Sequence, residues 1–149
     1  DTWFCRMIDT MEVPVLQNDM AMYIRLAMMW VASPHFVNDQ PDELDAYERG
    51  FILENPHPPS QRGILGHFHA DKTHDTLDRL GSIAVPTLIT SGEVDWQVPT
   101  RYGREVHERI ANSELHVFTG PLSSHIAFSE MPDEWNRFTL DWLAEASTR

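Results

Sequence analysis

The stretch Ile83-Ala84-Val85-Pro86-Thr87-Leu88-Ile89-Thr90-Ser91-Gly92-Glu93-Val94-Asp95-Trp96-Gln97-Val98-Pro99 decides the fold class. Its part Val85–Thr90 is a short apolar run ending in the turn Ser91-Gly92, the pattern of a buried parallel strand. An acid, Asp95, follows the turn at once. Further along, Glu114–Thr119 reads as a second strand, with Leu115 and Val117 alternating with His116 and Phe118. Between the two, Tyr102–Ile110 is expected as a helix carrying Tyr102, Val106, Arg109 and Ile110 on one stripe. Glu134–Ala146 closes the chain as an amphipathic helix, with Trp135, Phe138 and Trp142 at i, i+3, i+7 and Leu143 beside them. Strand, helix, strand, helix at this spacing predicts a right-handed βαβ unit with a further packing helix, so residues 81–149 are α/β.

Residues 1–80 have a different character. They read as helical, with breakers at Pro14, Pro34, Pro41 and the cluster Asn55-Pro56-His57-Pro58-Pro59. Met20–Val31 is apolar nearly all round, which predicts a helix buried on several sides. A second helix follows Pro41, with Leu44, Tyr47 and Phe51 at i, i+3, i+7. Ser60 can cap a third, reaching Ala70, and Asp75 or Thr76 a fourth. Gly81, just past Leu80, sits where a helix end favours a residue tolerant of positive φ. No convincing strand is found here. Two parallel strands alone do not make a stable sheet, so the second part of the chain is expected to pair with strands it does not contain.

Composition narrows the function. The 149 residues are 42% apolar and 23% charged, as in an ordinary folded domain, with a formal charge of −12. That acidic balance argues against nucleic acid, whose phosphates need clustered Lys and Arg, and disfavours polyanionic substrates. No basic amphipathic membrane helix is found, and Met20–Ala32 is too short and carries Arg25, so no membrane partner is expected. The single cysteine, Cys5, permits no internal disulfide, which suits a reducing, cytoplasmic compartment. The chain opens on Asp1 rather than Met and is expected to be a piece of something longer.

Asp95 and His125 carry the chemistry. Both follow expected parallel strands, and therefore meet at the carboxyl edge, where open α/β sheets place their sites. An acid there can hold an imidazole in one tautomer and stabilise its protonated form, as a Ser-His-Asp arrangement requires. On these motifs residues 83–146 resemble the C-terminal part of an α/β-hydrolase, and residues 1–80 are similar to that family's helical cap. The run Asp75-Thr76-Leu77-Asp78-Arg79-Leu80-Gly81-Ser82-Ile83-Ala84-Val85-Pro86-Thr87-Leu88 is similar to 3-oxoadipate enol-lactonase-like members. Pro86-Thr87-Leu88-Ile89-Thr90-Ser91-Gly92-Glu93 also resembles proline iminopeptidases. The resemblance implies a partial α/β-hydrolase fold: a helical cap (1–80), then a βαβα unit with parallel strands (81–149). It implies Asp95 as triad acid and His125 as general base, with no cofactor and no metal.

Three departures from the family pattern bear on activity. No serine has the Gly-x-Ser-x-Gly context of a nucleophile elbow, Cys5 does not either, and the oxyanion-hole segment is missing. The loop that usually reads Gly-Gly-His or Gly-His is Ser123-Ser124-His125, whose backbone is expected to be less free. Proline iminopeptidases carry an acid directly after the triad Asp to hold a free amino terminus, whereas this chain has Trp96. The expectation is a C-terminal portion of an ester- or lactone-hydrolysing enzyme, with the serine outside this chain and little activity alone. Its partners would be a small-molecule ester or lactone and either a missing N-terminal half or a second copy. The alternative is a non-catalytic truncated module acting through homo- or hetero-association.

Other residues admit weaker readings. Six of the seven methionines fall within residues 7–29 and suit either core packing or an adaptable apolar pocket. Tyr23, Met28, Trp30 and Trp96 are candidates for such a pocket, with Phe36 beside them. His67-x-His69-x-Asp71 resembles the opening of a metallo-β-lactamase-like zinc motif, but Lys72 stands at its final His position. On a helix His67 and His69 would point about 200° apart. His107 and His116 read as exposed or packing residues.

Overall fold

Helix-forming sequence fills the first part of the chain, and the computed structural model describes residues 1–52 and 54–147, with the side chain of Ile52 left aside. Five helices come first: α1 (Thr2–Leu16), α2 (Met20–Val31), α3 (Pro34–Asp39), α4 (Pro41–Ile52) and α5 (Gln61–Thr73). A 3₁₀ segment, Leu77–Ser82, leads into β1 (Thr87–Gly92), α6 (Thr100–Arg109), β2 (Ser113–Phe118), α7 (Ala127–Glu130) and α8 (Pro132–Ala146).

The helix starts follow the capping chemistry of the sequence. Asp1, Asp19, Ser33 and Ser60 each accept a backbone N–H from three residues on, satisfying donors that a helix N-terminus leaves open. Pro34 and Pro41 open helices, where their missing N–H costs nothing. Pro14 departs from the expectation that it breaks the chain: it lies inside α1, which ends two residues later. The fourth expected helix is the 3₁₀ segment, which contains Gly81 at an ordinary negative φ. In the second part each expected element is present, displaced by one or two residues.

Apolar burial is concentrated in the helical part. Met7, Ile8, Met11 and Val15 of α1 pack with Ile64 and Phe68 of α5. Ile24, Met28, Ala32 and Phe36 form a second cluster that takes in Ile126 from beyond β2. α2 buries one side only, because Met22 and Met29 remain exposed. The six early methionines therefore divide: Met7, Met11 and Met28 are core, while Met29 borders a cleft. Tyr23 stands edge-on to Phe68, 5.9 Å between centroids. Burial, and then the charge of Asp71, hold its phenol above its ordinary pKa. Lys72 bridges back to α1 through Asp9 (3.2 Å) and Glu12 (2.5 Å), and these hydrogen bonds keep its ammonium charged above the usual lysine range.

β1 and β2 pair in parallel, from Thr87 against Ser113 to Gly92 against Phe118, with α6 as the crossover. Gly103 lets α6 lie close on β1, since a Cβ there would stand 2.4 Å from Ser91 Oγ. Phe118 is buried against the α8 ring of Phe138, on which His116 also stacks at 3.7 Å. Elsewhere this layer is open. Val85, Leu140 and Leu143 are more than half exposed, and α8 buries no residue fully. A parallel sheet ordinarily has both faces covered; here the two-stranded pair has free edges, and apolar surface is uncovered on α8 and before β1.

Candidate active site

The turn after β1 and the loop after β2 are built against each other. Gly92 ends β1 at a point where the backbone of the second loop crosses: a Cβ on it would lie 2.1 Å from Ser123 O and 2.7 Å from Ser124 O. Only glycine admits that approach. The two segments are then stitched by backbone and side-chain bonds. Val94 donates to Ser123 O (3.1 Å), Glu93 to Phe118 O (2.9 Å), and Gly120 to the Glu93 carboxylate (3.1 Å).

This stitching brings Asp95 and His125 together across thirty residues. His125 Nδ1 lies 3.0 Å from Asp95 Oδ2. The other carboxylate oxygen, Oδ1, accepts the Val98 N–H at 2.7 Å, so both oxygens of Asp95 have work and the group cannot rotate freely. The Asp95 side chain is 7% exposed and that of His125 34%. A buried acid held at both oxygens, behind an imidazole that still reaches a cavity, has the geometry to select the Nδ1–H tautomer and leave Nε2 for proton transfer.

The Ser-Ser-His loop does not suffer for lack of glycine. Neither Ser123 nor Ser124 takes a positive φ, and both hydroxyls are used. Ser123 donates to Gly120 O (2.7 Å), and Ser124 to Glu130 Oε1 (2.9 Å) while accepting the Ile126 N–H (3.1 Å).

A cavity of about 240 Å³ opens beside the pair, bordered by Gly92, Phe118, Phe128 and Trp135. A larger apolar cleft of about 440 Å³ lies between the α2–α3 region and Trp96, lined by Leu26, Met29, Trp30 and Val37, with no charged residue on its walls. Asp95 and Trp96 also face a third opening with Trp3 and Arg101, and Trp3 meets Trp30 edge-on at 5.2 Å. Of the four expected pocket residues, Trp96 and Trp30 line the cleft. Tyr23 and Met28 do not: the first packs on Phe68 and the second is buried beside Ile24 and Phe36. Their apolar character is spent on helix packing, because α2 turns that face toward α1, α4 and α5.

Several histidines outside the pair have local partners. His67 pairs with Asp71 on α5 (3.3 Å), while His107 bonds Ser113 Oγ (2.8 Å). Among the described residues no group of three His, Cys, Asp or Glu side chains converges as metal ligands would. Sequence reasoning did not find Glu130, Ser33 or Ser124, nor Phe128 and Trp135 at the cavity wall. Trp135 was legible only as part of the last helix's apolar stripe, the others carry no periodic signal, and their meeting depends on loops that only folding closes.

No family model matches the chain. Its sequence is 42% identical over 100 residues to a proline iminopeptidase of Thermoplasma volcanium, covering 67% of this chain and 32% of that protein. It is 41% identical over 70 residues to a 2-hydroxy-6-oxo-6-phenylhexa-2,4-dienoate hydrolase of Burkholderia cepacia, covering 47% of this chain and 24% of that one. The structure superposes on an α/β hydrolase enzyme from a Medee basin deep-sea metagenome library with a TM-score of 0.83 at 19% identity, over 97% of this chain and 52% of the other. It superposes on the enol-lactonase of Burkholderia xenovorans LB400 with a TM-score of 0.75 at 20% identity, over 91% and 49%. The chain thus spans less than a third of these curated relatives and about half of these solved chains. Two parallel strands with an acid and a histidine joined at their carboxyl ends, and relatives of this kind in sequence and in shape, place the chain in the α/β-hydrolase superfamily.

Proposed function

We propose that this chain supplies the acid and base of a Ser-His-Asp hydrolase, together with a helical cap over 1–80 and the apolar cleft beneath it, for hydrolysis of a carboxylic ester or lactone. The observation that carries this reading is the Asp95–His125 hydrogen bond beside an open cavity. His125 would take the proton of an attacking serine hydroxyl and return it to the leaving oxygen, while Asp95 keeps the imidazole oriented and stabilises its cationic form. The serine comes from outside these 149 residues, since none of their serines lies in a Gly-x-Ser-x-Gly elbow. An apolar acyl or ring group suits the cleft formed by Trp96, Trp30, Met29 and Leu26. Trp96 in place of an acid after Asp95 favours an ester or lactone over a substrate with a charged amino terminus.

The exposed edge of β1 and the uncovered apolar side chains nearby support association with a segment that adds strands, either an N-terminal half or a second copy. The test is a fluorophosphonate probe with a set of p-nitrophenyl esters and small lactones, applied first to this chain and then to a chain that includes a Gly-x-Ser-x-Gly segment. The expected result is no labelling of the first, and labelling with hydrolysis in the second. In that longer chain Asp95→Asn should lower kcat by about 10⁴-fold. Stoichiometric labelling of this chain alone, or full activity in Asp95→Asn, would refute the assignment.

A further inference from the structure

Glu130 is a buried carboxylate that the proposed chemistry does not use. It is 7% exposed, and its neighbours Ser33 and Ser124 are buried more completely. Its Oε1 accepts two hydrogen bonds, from the Ser33 N–H at 2.7 Å and the Ser124 hydroxyl at 2.9 Å. Its Oε2 is buried with no hydrogen-bond partner among the described residues. Burying a carboxylate is costly, and leaving half of it unpaired is costlier, so an apolar side chain would serve the fold better if packing were the whole task.

The position of the two donors shows what the carboxylate joins. Ser33 lies where α2 has ended and α3 begins: its hydroxyl caps α3 through Phe36, and its own N–H is taken by Glu130, 97 residues away. Ser124 immediately precedes His125, and its oxygen also accepts the N–H of Ile126, which immediately follows. The backbone on both sides of His125 is therefore gripped by one hydroxyl, and that hydroxyl is held by one carboxylate anchored on the helical layer. Ile126 adds to the grip by packing among Ile24, Met28 and Phe36. Asp95 fixes the ring of His125, and Glu130 fixes the frame from which the ring projects.

We propose that Glu130 is a positioning residue that couples the α2–α3 junction to His125 through Ser124, so that the placement of the helical cap sets the pose of the base. The proposal rests on His125 being that base. A cap displaced from Glu130 would release the His125 loop, and a seated cap would hold it in register with Asp95. Precise placement matters because a misalignment near 1 Å can cost about a hundredfold in rate.

The test is ¹⁵N-histidine NMR of the folded chain, with the His125 signals assigned by loss in His125→Ala. The expected wild-type signature is a single Nδ1–H tautomer and a downfield Nδ1 proton. Glu130→Leu should lose that proton and mix the tautomers, while Glu130→Gln, whose amide oxygen still accepts both bonds, should restore it. Ser124→Ala keeps the Glu130–Ser33 contact and cuts the link to His125, so it should give the same loss even if Glu130→Leu fails to fold. Asp95→Asn separates the two ideas. A wild-type signature erased by Asp95→Asn but untouched by Ser124→Ala or by folded Glu130→Leu overturns the role of Glu130 alone. Absence of the signature in the wild type overturns the acid–base assignment and the proposal with it. In an enzyme completed by its nucleophile, Ser124→Ala should lower kcat by about 10- to 100-fold with KM little changed.

Discussion

Gly92→Ala tests the crossing that brings Asp95 and His125 together. The added Cβ would stand 2.1 Å from Ser123 O, and a real Cβ does not approach an atom closer than 3.0 Å, so the carbonyl must retreat by about 0.9 Å. The obstruction is backbone on both sides, and no rotamer change relieves it. Such a retreat would stretch the Val94 N–H to Ser123 O bond from 3.1 Å to about 4 Å, beyond hydrogen-bonding range. His125 is two residues further along the same loop, and its 3.0 Å bond to Asp95 would be drawn out with it. Overpacking costs about 1–3 kcal/mol and a lost internal hydrogen bond about 1 kcal/mol, so a destabilisation of about 2–4 kcal/mol is expected. For a chain of this size that corresponds to a fall in Tm of about 5–15 °C. The assays are urea unfolding followed by far-ultraviolet circular dichroism, and the His125 Nδ1 proton by NMR. Gly66→Ala in α5 is the control: nothing lies within 4 Å of its Cβ position, so it should stabilise by about 0.5–1 kcal/mol. A Gly92→Ala variant within 0.5 kcal/mol of wild type, with the histidine signal in place, would show that the two loops do not constrain each other.

Two further outcomes follow from burial. Phe36, fully buried among Ile24, Met28 and Ile126, should cost about 3–5 kcal/mol when changed to Ala, against less than about 0.5 kcal/mol for exposed Leu140→Ala; equal losses in urea unfolding would show that the helical cluster is not the core. Tyr23 has a folded pKa raised above its ordinary 10.0. From pH 10 upward the unfolded chain therefore gives up a proton that the folded chain retains, so this contribution is intact below pH 10 and declines as pH rises through the folded value. Tyr23→Phe should flatten the alkaline limb of the stability curve, which Lys72 continues to shape with the same sign; an unchanged limb would place the alkaline loss elsewhere.

Local signals account for much that was legible before folding. The apolar run ending at Ser91-Gly92, the helical stripes of α6 and α8, and the capping residue Ser60 each act within a few residues, and β1, α6, β2 and α8 lie within two residues of their expected bounds. Pro14 was misleading because it removes only its own N–H bond to the carbonyl four residues back, and α1 carries that loss in its last turn, ending at Leu16. Asp95 and His125 were legible as a pair because strand ends in a parallel unit share one edge, an inference that needs topology and no side-chain contact. The pocket residues were legible only in part, Trp30 and Trp96 lining the cleft and Tyr23 and Met28 not. Tyr23, Met28, Met29 and Trp30 lie on one apolar helix, and which of them meets a cleft depends on where α1, α4 and α5 dock.

The parallel strand pair and the meeting of Asp95 with His125 at its carboxyl edge were set by periodicity and turn chemistry, which are short-ranged and written along the chain. Where Gly92 meets the second loop, and where Ser33 and Ser124 meet Glu130, was decided by tertiary structure. A backbone crossing that leaves no room for a Cβ at Gly92, and a Glu130 carboxylate bonded to a residue 97 positions away, are properties of distance in space, which no spacing along the chain encodes.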